Sequence, residues 1–460
     1  MDRIQIYLDI VPLPVAVAGA FFAVFVFLTI PSRYRLSAAL AIMPIWLTMS
    51  RLPEFEIQWL PPAAKITSIM GYLFVGLGAM LHPGPRRSLP RFVWLYLVMA
   101  AIAFMFVLRV EDRTVALILR FQWFALVFAA IMLARTIVTA QDLMRVVNAL
   151  AFGCFLALAL PLSALILFPG ESFLKGGNRF EPYGVNSNQI GMLFALALPL
   201  LAYKGLTARR VVFKPILLGA AGITVGMALL TGSRQTLLAI LMVSIPLVFK
   251  FSKRPVMTII GLSVGAFAVS YVMGMADATA VERLSDFESE RIYIWEAYIR
   301  DVFAQRPLFG LLGVSGEEAF KSSVVGMHPH SAYFNMMYMG GLVYTLPMLW
   351  LLWKSVQSTK SVWQARTMLG TDPLLISILA TLLLAMYVQG LFNQVVYWPT
   401  YAWSFLHVIL ACFFISVAHD LEVYDPAWVL LDEEADPEAI DWYDEGDETE
   451  PGVMPDGQLA

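Results

Sequence analysis

Residues 92–108 read FVWLYLVMAAIAFMFVL and carry no charge, although arginines stand directly on both sides, at Arg91 and Arg109. A helix of this length rises about 25 Å, close to the ~30 Å hydrocarbon layer of a bilayer. Nearly uncharged runs of similar length recur at residues 11–30, 146–168 and 374–390. Repetition of such runs predicts an all-α fold, a polytopic bundle of transmembrane helices.

The composition agrees with a membrane protein and excludes a water-soluble globule. Of the 460 residues, 59% are hydrophobic and 14% are charged, with a mean hydropathy of +0.71. No short apolar segment followed by a small-residue cleavage site stands out, so the first span is expected to stay in place. The two cysteines, Cys154 and Cys412, lie in apolar runs and are interpreted as core residues rather than a disulfide or a metal site.

About 12–13 spans follow from the apolar runs. We place them near residues 11–30, 36–50, 63–81, 91–108, 115–138, 146–168, 188–204, 214–231, 235–250, 256–275, 330–353, 373–391 and 398–417. They divide the chain into an N-terminal transmembrane bundle (1–275), a periplasmic loop with an amphipathic helix (276–329), C-terminal transmembrane helices (330–417) and a tail (418–460).

The loops alternate in charge, which predicts their sides of the membrane. Basic residues cluster in every second loop, and these loops are expected to be cytoplasmic by the positive-inside rule. They hold Arg33 and Arg35, Arg86 and Arg87, Arg135 and Arg145, Lys204 with Arg209 and Arg210, Lys250 with Lys253, and Lys354 with Lys360. The segments 51–62, 109–114, 169–187, 231–234, 276–329 and 393–400 are expected to face outward.

The tail is opposite in charge to the rest of the chain. Residues 420–456 contain 15 Asp and Glu, and no Lys or Arg follows Arg366. The remaining 19 acidic and 31 basic residues give the rest of the chain a balance of +12, although the whole chain is at −3. The tail is therefore predicted to be cytoplasmic and disordered, apart from Trp428–Leu431, which we expect to dock on a partner such as a chain-length or assembly protein.

Residues 176–189, GGNRFEPYGVNSNQ, form the first of four polar outward segments. Its glycines and asparagines suit tight turns and hydrogen bonds to a polyhydroxylated ligand. The candidate binding residues here are Arg179, Tyr183, Asn186 and Asn188. The alternative is an ordinary loop whose asparagines cap a helix.

Two further outward segments carry arginines. Arg234 ends the turn Thr231-Gly232-Ser233-Arg234, which is too short to let its side chain wander, although lipid headgroups are an alternative partner. Residues 288–305 have helical periodicity that places Arg291, Trp295, Tyr298 and Val302 on one face. This helix is interpreted as a lid or phosphate-binding element, with a packing helix as the alternative. Arg283, Arg300 and Arg306 are expected on the same side.

The fourth segment, Gly326–Phe334, reads GMHPHSAYF and precedes a span. A proline between His328 and His330 makes them poor joint ligands, so no metal or other cofactor is predicted. Histidine ionises near neutrality and suits a general base, with helix capping as the alternative. Ser331 and Tyr333 are candidate binding residues beside it.

Together these groups indicate an anionic, sugar-containing ligand. Guanidinium groups bind pyrophosphate through planar, bidentate hydrogen bonds, and histidine can withdraw a proton from a sugar hydroxyl. A lipid-linked oligosaccharide transporter is the alternative of another class. An ion-coupled transporter usually places carboxylates at mid-membrane, whereas the main charge within these spans is Arg120.

The order of these motifs resembles the O-antigen ligase and polymerase superfamily. The resemblance covers roughly residues 180–400. It rests on the Asn-rich loop, the Thr-Gly-Ser-Arg turn, the Arg-x-x-x-Trp helix before Pro307-Leu308-Phe309-Gly310, and His-Pro-His-Ser-x-Tyr at a span start. Family members often have Asn where Ser331 stands, which leaves the acceptor contact open.

The resemblance implies an integral-membrane, metal-independent glycosyltransferase of the GT-C type in the bacterial inner membrane, working at the periplasmic face. The donor would be a glycan on undecaprenyl diphosphate, and the acceptor either another glycan, as in a polymerase, or lipid A-core, as in an O-antigen ligase. Polymerisation of exopolysaccharide, capsule or O-antigen is the favoured reaction. Membrane lipids are the other expected partners, and no nucleic acid is expected to bind. Carried over by motif, the catalytic residues are His330 as base and Arg234 and Arg291 as diphosphate ligands.

Overall fold

The computed structural model describes residues 12–49, 60–109, 113–173, 179–254, 291–311, 331–393, 403–424, 426 and 429–430. Within these residues the chain is all-α, without a β-strand, and its one isolated bridge pairs Thr139 with Leu430. The predicted all-α helix bundle is confirmed.

Fourteen α-helices are numbered here in chain order. They are α1 Leu13–Thr29, α2 Ser32–Met49, α3 Leu60–Met80, α4 Leu95–Met105, α5 Arg113–Arg135, α6 Ala140–Ala157, α7 Ala159–Leu167, α8 Ser187–Thr207, α9 Phe213–Leu230, α10 Arg234–Phe251, α11 Arg291–Tyr298, α12 Ala332–Ala365, α13 Pro373–Gly390 and α14 Ser404–Val423. Short 3₁₀ turns at Arg91–Trp94 and Phe106–Arg109 extend α4, and a π-helical turn at Ile299–Phe303 extends α11.

Nine helices in the described part of the chain are long and apolar enough to cross a membrane. Each predicted span coincides with one helix, except that 146–168 covers α6 and α7 and that 256–275 lies outside the described residues. The largest difference is in α12, which continues to Ala365, twelve residues past the predicted end. Hydropathy falls at Lys354, but the backbone stays helical because the sequence beyond it has no Gly or Pro to stop the helix.

The most enclosed helices are α8, α13 and α14, which form the centre of the bundle. Helix α14 packs against α5 and α12, α8 packs against α6, α9 and α10, and α13 packs against α10. Near the start of α14, the ring of Phe405 lies 5.3 Å from Tyr72 and 6.3 Å from Trp46. This core positions the ends of α8, α10, α12 and α13, where the candidate site lies.

One end of the bundle, here the Arg87 end, gathers loops that the sequence predicts to be cytoplasmic. The amide of Arg87 donates to Arg135 O over 2.8 Å, and its side chain donates to Val138 O over 3.0 Å. Arg87 Nε lies 3.2 Å from an Asp420 carboxylate oxygen, with both side chains buried. These contacts join the loops after α3 and after α5 to the end of α14. The alternation of loop charge in the sequence predicts all three on one side of the membrane.

The start of the acidic tail is structured. Helix α14 continues to Val423, past the predicted boundary at residue 418, and Val429 and Leu430 are buried. Ala140 N donates to Leu430 O over 3.1 Å, and Gly370 N donates to Val429 O over 3.3 Å. The two apolar residues therefore dock on their own chain rather than remaining open for a partner. Trp428 and residues 431–460 lie outside the described residues.

Candidate functional site

Arg234 is held by the cap of its own helix. The turn before it bends at Gly232, where φ is +55°, and Ser233 Oγ accepts the amide of Thr236 over 3.2 Å as the N-cap of α10. Thr231 is fully buried and its hydroxyl donates to Ala228 O over 2.6 Å. The Arg234 side chain is exposed and makes no hydrogen bond or ion pair with the described part of the chain. A rigid turn thus presents a guanidinium group that no described carboxylate neutralises.

The Asn-rich loop meets this turn directly. Asn186 is the N-cap of α8, because its side chain accepts the amide of Asn188 over 2.9 Å. Asn188 Oδ1 in turn accepts the hydroxyl of Ser233 over 2.6 Å. The capping alternative is therefore correct for Asn186, while Asn188 ties the loop to the arginine turn.

Close packing of α8 on α10 makes this junction rigid. A Cβ atom added at Gly191 would overlap the Thr236 hydroxyl and lie 2.8 Å from Thr236 Cβ. The Thr236 hydroxyl also lies 3.5 Å from Ser187 O, as a donor. Because only a glycine lets the two helices approach this closely, the relative position of their N-termini is fixed.

Arg179 lies on the same turn from the other side. Its Nε donates to Thr231 O over 3.2 Å, and the next amide, of Phe180, donates to Leu230 O over 3.0 Å. The side chain is partly buried, and its Cγ is 3.8 Å from the position of a Cβ at Gly232. Arg179 and Arg234 therefore lie at the same turn.

Tyr183 contacts α7 and the residue that follows it. Its φ is +51°, an unusual value for a residue other than glycine, and its hydroxyl lies 2.9 Å from Ser163 Oγ on α7. Its ring packs edge-on against Phe168, 6.0 Å away. These contacts hold the loop in shape, and the role of Tyr183 in substrate binding stays a prediction.

The start of α12 reaches the same end of the bundle through α13. Ser331 is buried and its hydroxyl lies 3.5 Å from Gly390 O as a donor, while Tyr333 donates to Tyr387 O over 2.9 Å. Two residues beyond Gly390, Phe392 O accepts the side chain of Gln235 over 2.8 Å.

The last turn of α13 thus lies between Ser331 and the residue after Arg234. This end of the bundle, here the Arg234 end, brings together five of the predicted site residues, namely Arg179, Asn186, Asn188, Arg234 and Ser331. His330 and His328, which precede Ser331, lie outside the described residues, as does Arg283.

Helix α11 packs on the start of α12. The Trp295 ring stacks on Phe334 at 4.7 Å and 19°, and Tyr298 packs edge-on against Tyr338 at 4.7 Å. The predicted face that includes Trp295 and Tyr298 is therefore a packing face, as the alternative reading has it. Arg291 is the first residue of α11. Its side chain is not among the parts of the chain that the structure describes.

Some polar side chains that lie near the Arg234 end are not singled out by the sequence analysis. Gln389 donates to Gln235 O over 3.1 Å and so links α13 to α10. Asn335, one helical turn after Ser331, is fully buried, and its side-chain amide makes no hydrogen bond with the residues described. A signal was present in the spacing, because Asn335 follows Ser331 by four residues and shares its face of α12.

No protein-family model matches this chain, and no curated protein matches it. The likeness to the O-antigen ligase and polymerase superfamily therefore depends on the motifs quoted above.

Proposed function

We propose that this protein is an inverting membrane glycosyltransferase that takes glycans from undecaprenyl diphosphate at the outer face of a bacterial inner membrane. The observation that carries the proposal is the meeting of Arg179 and Arg234 on one rigid turn at the end of an apolar bundle. Two guanidinium groups on a fixed support suit a diphosphate, which has several oxygens at short range and carries negative charge. Asn188 is bonded to the same turn through Ser233, and Ser331 lies at the same end of the bundle, against the last turn of α13.

The proposed reaction needs a base, an anion site and an acceptor. His330 would take the proton of an acceptor sugar hydroxyl, and the resulting oxygen would attack the anomeric carbon from the face opposite the diphosphate. The bond from that carbon to the diphosphate oxygen breaks, and its electron pair leaves with undecaprenyl diphosphate. Arg234 and Arg291 would stabilise this leaving charge, which is worth most where water is excluded.

Polymerisation of repeat units is the favoured reaction, and transfer to lipid A-core is the alternative. The two differ in the acceptor alone, so they share the arginines and the base. We expect purified protein in proteoliposomes to lengthen an undecaprenyl-diphosphate-linked repeat unit when no other acceptor is added. Product that forms only after addition of lipid A-core would identify a ligase instead.

Arg234→Lys tests the diphosphate contact, because lysine keeps the charge but loses the bidentate geometry. We expect a loss of about tenfold or more in transfer rate, since one such contact is worth about 1.4 kcal/mol or more. Arg210→Lys is the matched control, an exposed arginine in a loop predicted to lie on the opposite side of the membrane. Equal rates for the two variants would leave Arg234 as a residue that contacts only lipid headgroups.

A further inference from the structure

Residues 291–311 dock on α12 through backbone contacts. Helix α11 and its π-helical turn lead to a bend at Gly310, where φ is +52°. Pro307 O accepts the amide of Leu342 over 2.7 Å, and Leu308 O accepts the amide of Val343 over 3.1 Å. Leu311 N donates to Tyr338 O over 3.2 Å. We call residues 307–311 the docked turn.

Helix α12 is broken where the docked turn meets it. Gly341 has φ +61° and ψ −165°, which frees the amides of Leu342 and Val343 from the helical pattern. A Cβ at Gly341 would overlap the carbonyl group of Leu308 and lie 2.6 Å from Phe309 N, and a Cβ at Gly310 would lie 2.8 Å from Gly341 N. Two glycines therefore allow one backbone to bond directly to the other.

The depth of this contact follows from helix geometry. Lys354 is the first charged residue of α12, thirteen positions after Gly341. At about 1.5 Å per residue these positions are roughly 20 Å apart along the axis. If Lys354 marks one surface of a ~30 Å hydrocarbon layer, Gly341 lies roughly 10 Å inside the other.

A second span agrees with this depth. The segment Arg91–Arg109 carries no charge between its terminal arginines, is long and apolar enough to cross the membrane, and packs against α12. Phe309 of the docked turn lies 5.4 Å from the ring of Phe106, three residues before Arg109. Three residues of this 3₁₀ turn correspond to roughly 6 Å along the axis, so Phe309 is also below the level of the charged terminus.

The exposed surface of residues 291–311 includes an apolar patch, beside the exposed polar side chains of Glu296, Arg300 and Gln305. Exposed fractions are 68% for Tyr293, 59% for Ile292, 58% for Leu308 and 44% for Phe309. This surface adjoins the end of the neighbouring span, where Met105 is 71% and Leu108 is 76% exposed. Such side chains at the end of a spanning helix face lipid, so the apolar surface of the docked segment continues a lipid-facing surface.

We infer that residues 291–311 are a re-entrant element, embedded in the leaflet at the Arg234 end and in contact with phospholipid acyl chains. The backbone pattern fits this placement, because the carbonyls of Pro307 and Leu308 and the amides of Leu342 and Val343 bond to each other and need no water. Exposed Arg306, between the π-helical turn and the docked turn, and exposed Arg300 have side chains long enough to reach toward the headgroups. The inference concerns the bilayer and does not depend on the sugar chemistry.

Spin-label accessibility tests the inference. Tyr293→Cys and Leu308→Cys would each be labelled in the full chain, in liposomes of phosphatidylethanolamine and phosphatidylglycerol. The native Cys154 and Cys412 are fully buried and are not expected to react in the folded protein. Val98→Cys, at a half-exposed position within a span, serves as the lipid reference, and Glu171→Cys, at an exposed position in the predicted outward loop after α7, serves as the water reference.

We expect oxygen to relax the labels at 293 and 308 more strongly than a water-soluble nickel chelate, as at 98. Nickel accessibility equal to that at 171 at both positions would overturn the inference, because the segment would then be a loop in water. Exclusion of both reagents would overturn it as well, because the surface would then be covered by protein. Tyr293 has no part in the docked turn, so its label remains informative if Leu308→Cys disturbs that turn.

Discussion

Gly341→Ala should detach the docked turn from α12. The backbone at Gly341 has a positive φ with an extended ψ, a combination that is essentially restricted to glycine. An alanine there also overlaps the carbonyl group of Leu308, which is backbone and cannot rotate away. The simplest relief is a regular helix through position 341, in which the amides of Leu342 and Val343 bond within α12 and release residues 307–311.

The cost follows from the contacts that are lost. If the alanine variant keeps the backbone conformation of Gly341, the strain costs about 1–3 kcal/mol. If it is released, Leu311, which is 4% exposed, leaves its contact with Tyr298 and Tyr338, at about 1.5–3 kcal/mol for one buried leucine. Since either route costs up to about 3 kcal/mol, we expect a loss of about 3 kcal/mol.

Gly222→Ala is the matched control, because a Cβ there has no atom within 4 Å. That change should be neutral or stabilise α9 by up to about 1 kcal/mol. The two variants should therefore differ by about 3–4 kcal/mol. The shift in melting temperature per kcal/mol falls with chain length, so for 460 residues this difference corresponds to roughly 4–8 °C.

Thermal unfolding can be followed through the native thiols. Cys154 and Cys412 are free and fully buried, so a fluorogenic maleimide reports their exposure as the bundle opens. Equal melting temperatures for Gly341→Ala and Gly222→Ala would refute the reasoning, because the break in α12 would then carry no energy.

Other perturbations have equally definite outcomes. Asp420→Ala should lower the melting temperature in the same assay by an amount equivalent to about 3–5 kcal/mol, because it leaves the buried charge of Arg87 without its carboxylate; an unchanged melt would mean the pair is not formed. Truncation after Tyr424 should lower it by the equivalent of about 2–3 kcal/mol through loss of buried Leu430 alone, whereas truncation after residue 431 should leave it unchanged, and equal melts would contradict the docking. His330→Ala should abolish glycan transfer in proteoliposomes while the amount of protein in the membrane stays normal, and wild-type transfer would remove its role as base.

Apolar runs and loop charge are enough to predict most of the membrane-spanning helices. Runs such as 92–108 have one stable solution in a bilayer, so α4 with its flanking turns was predicted almost to the residue. The ends were harder when polarity and helix propensity disagreed, as in α12 beyond Lys354. Hydropathy indicates whether a segment lies in lipid or in water. The residue at which a helix ends depends instead on local backbone preference.

Contacts between segments were less accessible from the sequence. The motifs predict that Arg234 and Asn188 share a side of the membrane, but the hydrogen bond that joins Asn188 to Ser233 depends on how closely α8 and α10 approach. Likewise the pair Gly340-Gly341 shows only that a break is tolerated. What fills the break, the docked turn, comes from a segment thirty residues earlier in the chain.

The most direct test of the proposed function is the lipid-linked glycan pool of a bacterium from which the gene is deleted. We expect single repeat units to accumulate on undecaprenyl diphosphate at the outer face. The wild type and Arg210→Lys should restore the normal pool, and Arg234→Lys should restore it less completely. Full-length polymer held on the carrier would assign the ligase reaction to the same site. An unchanged pool, or repeat units trapped at the cytoplasmic face, would contradict glycan transfer as the function.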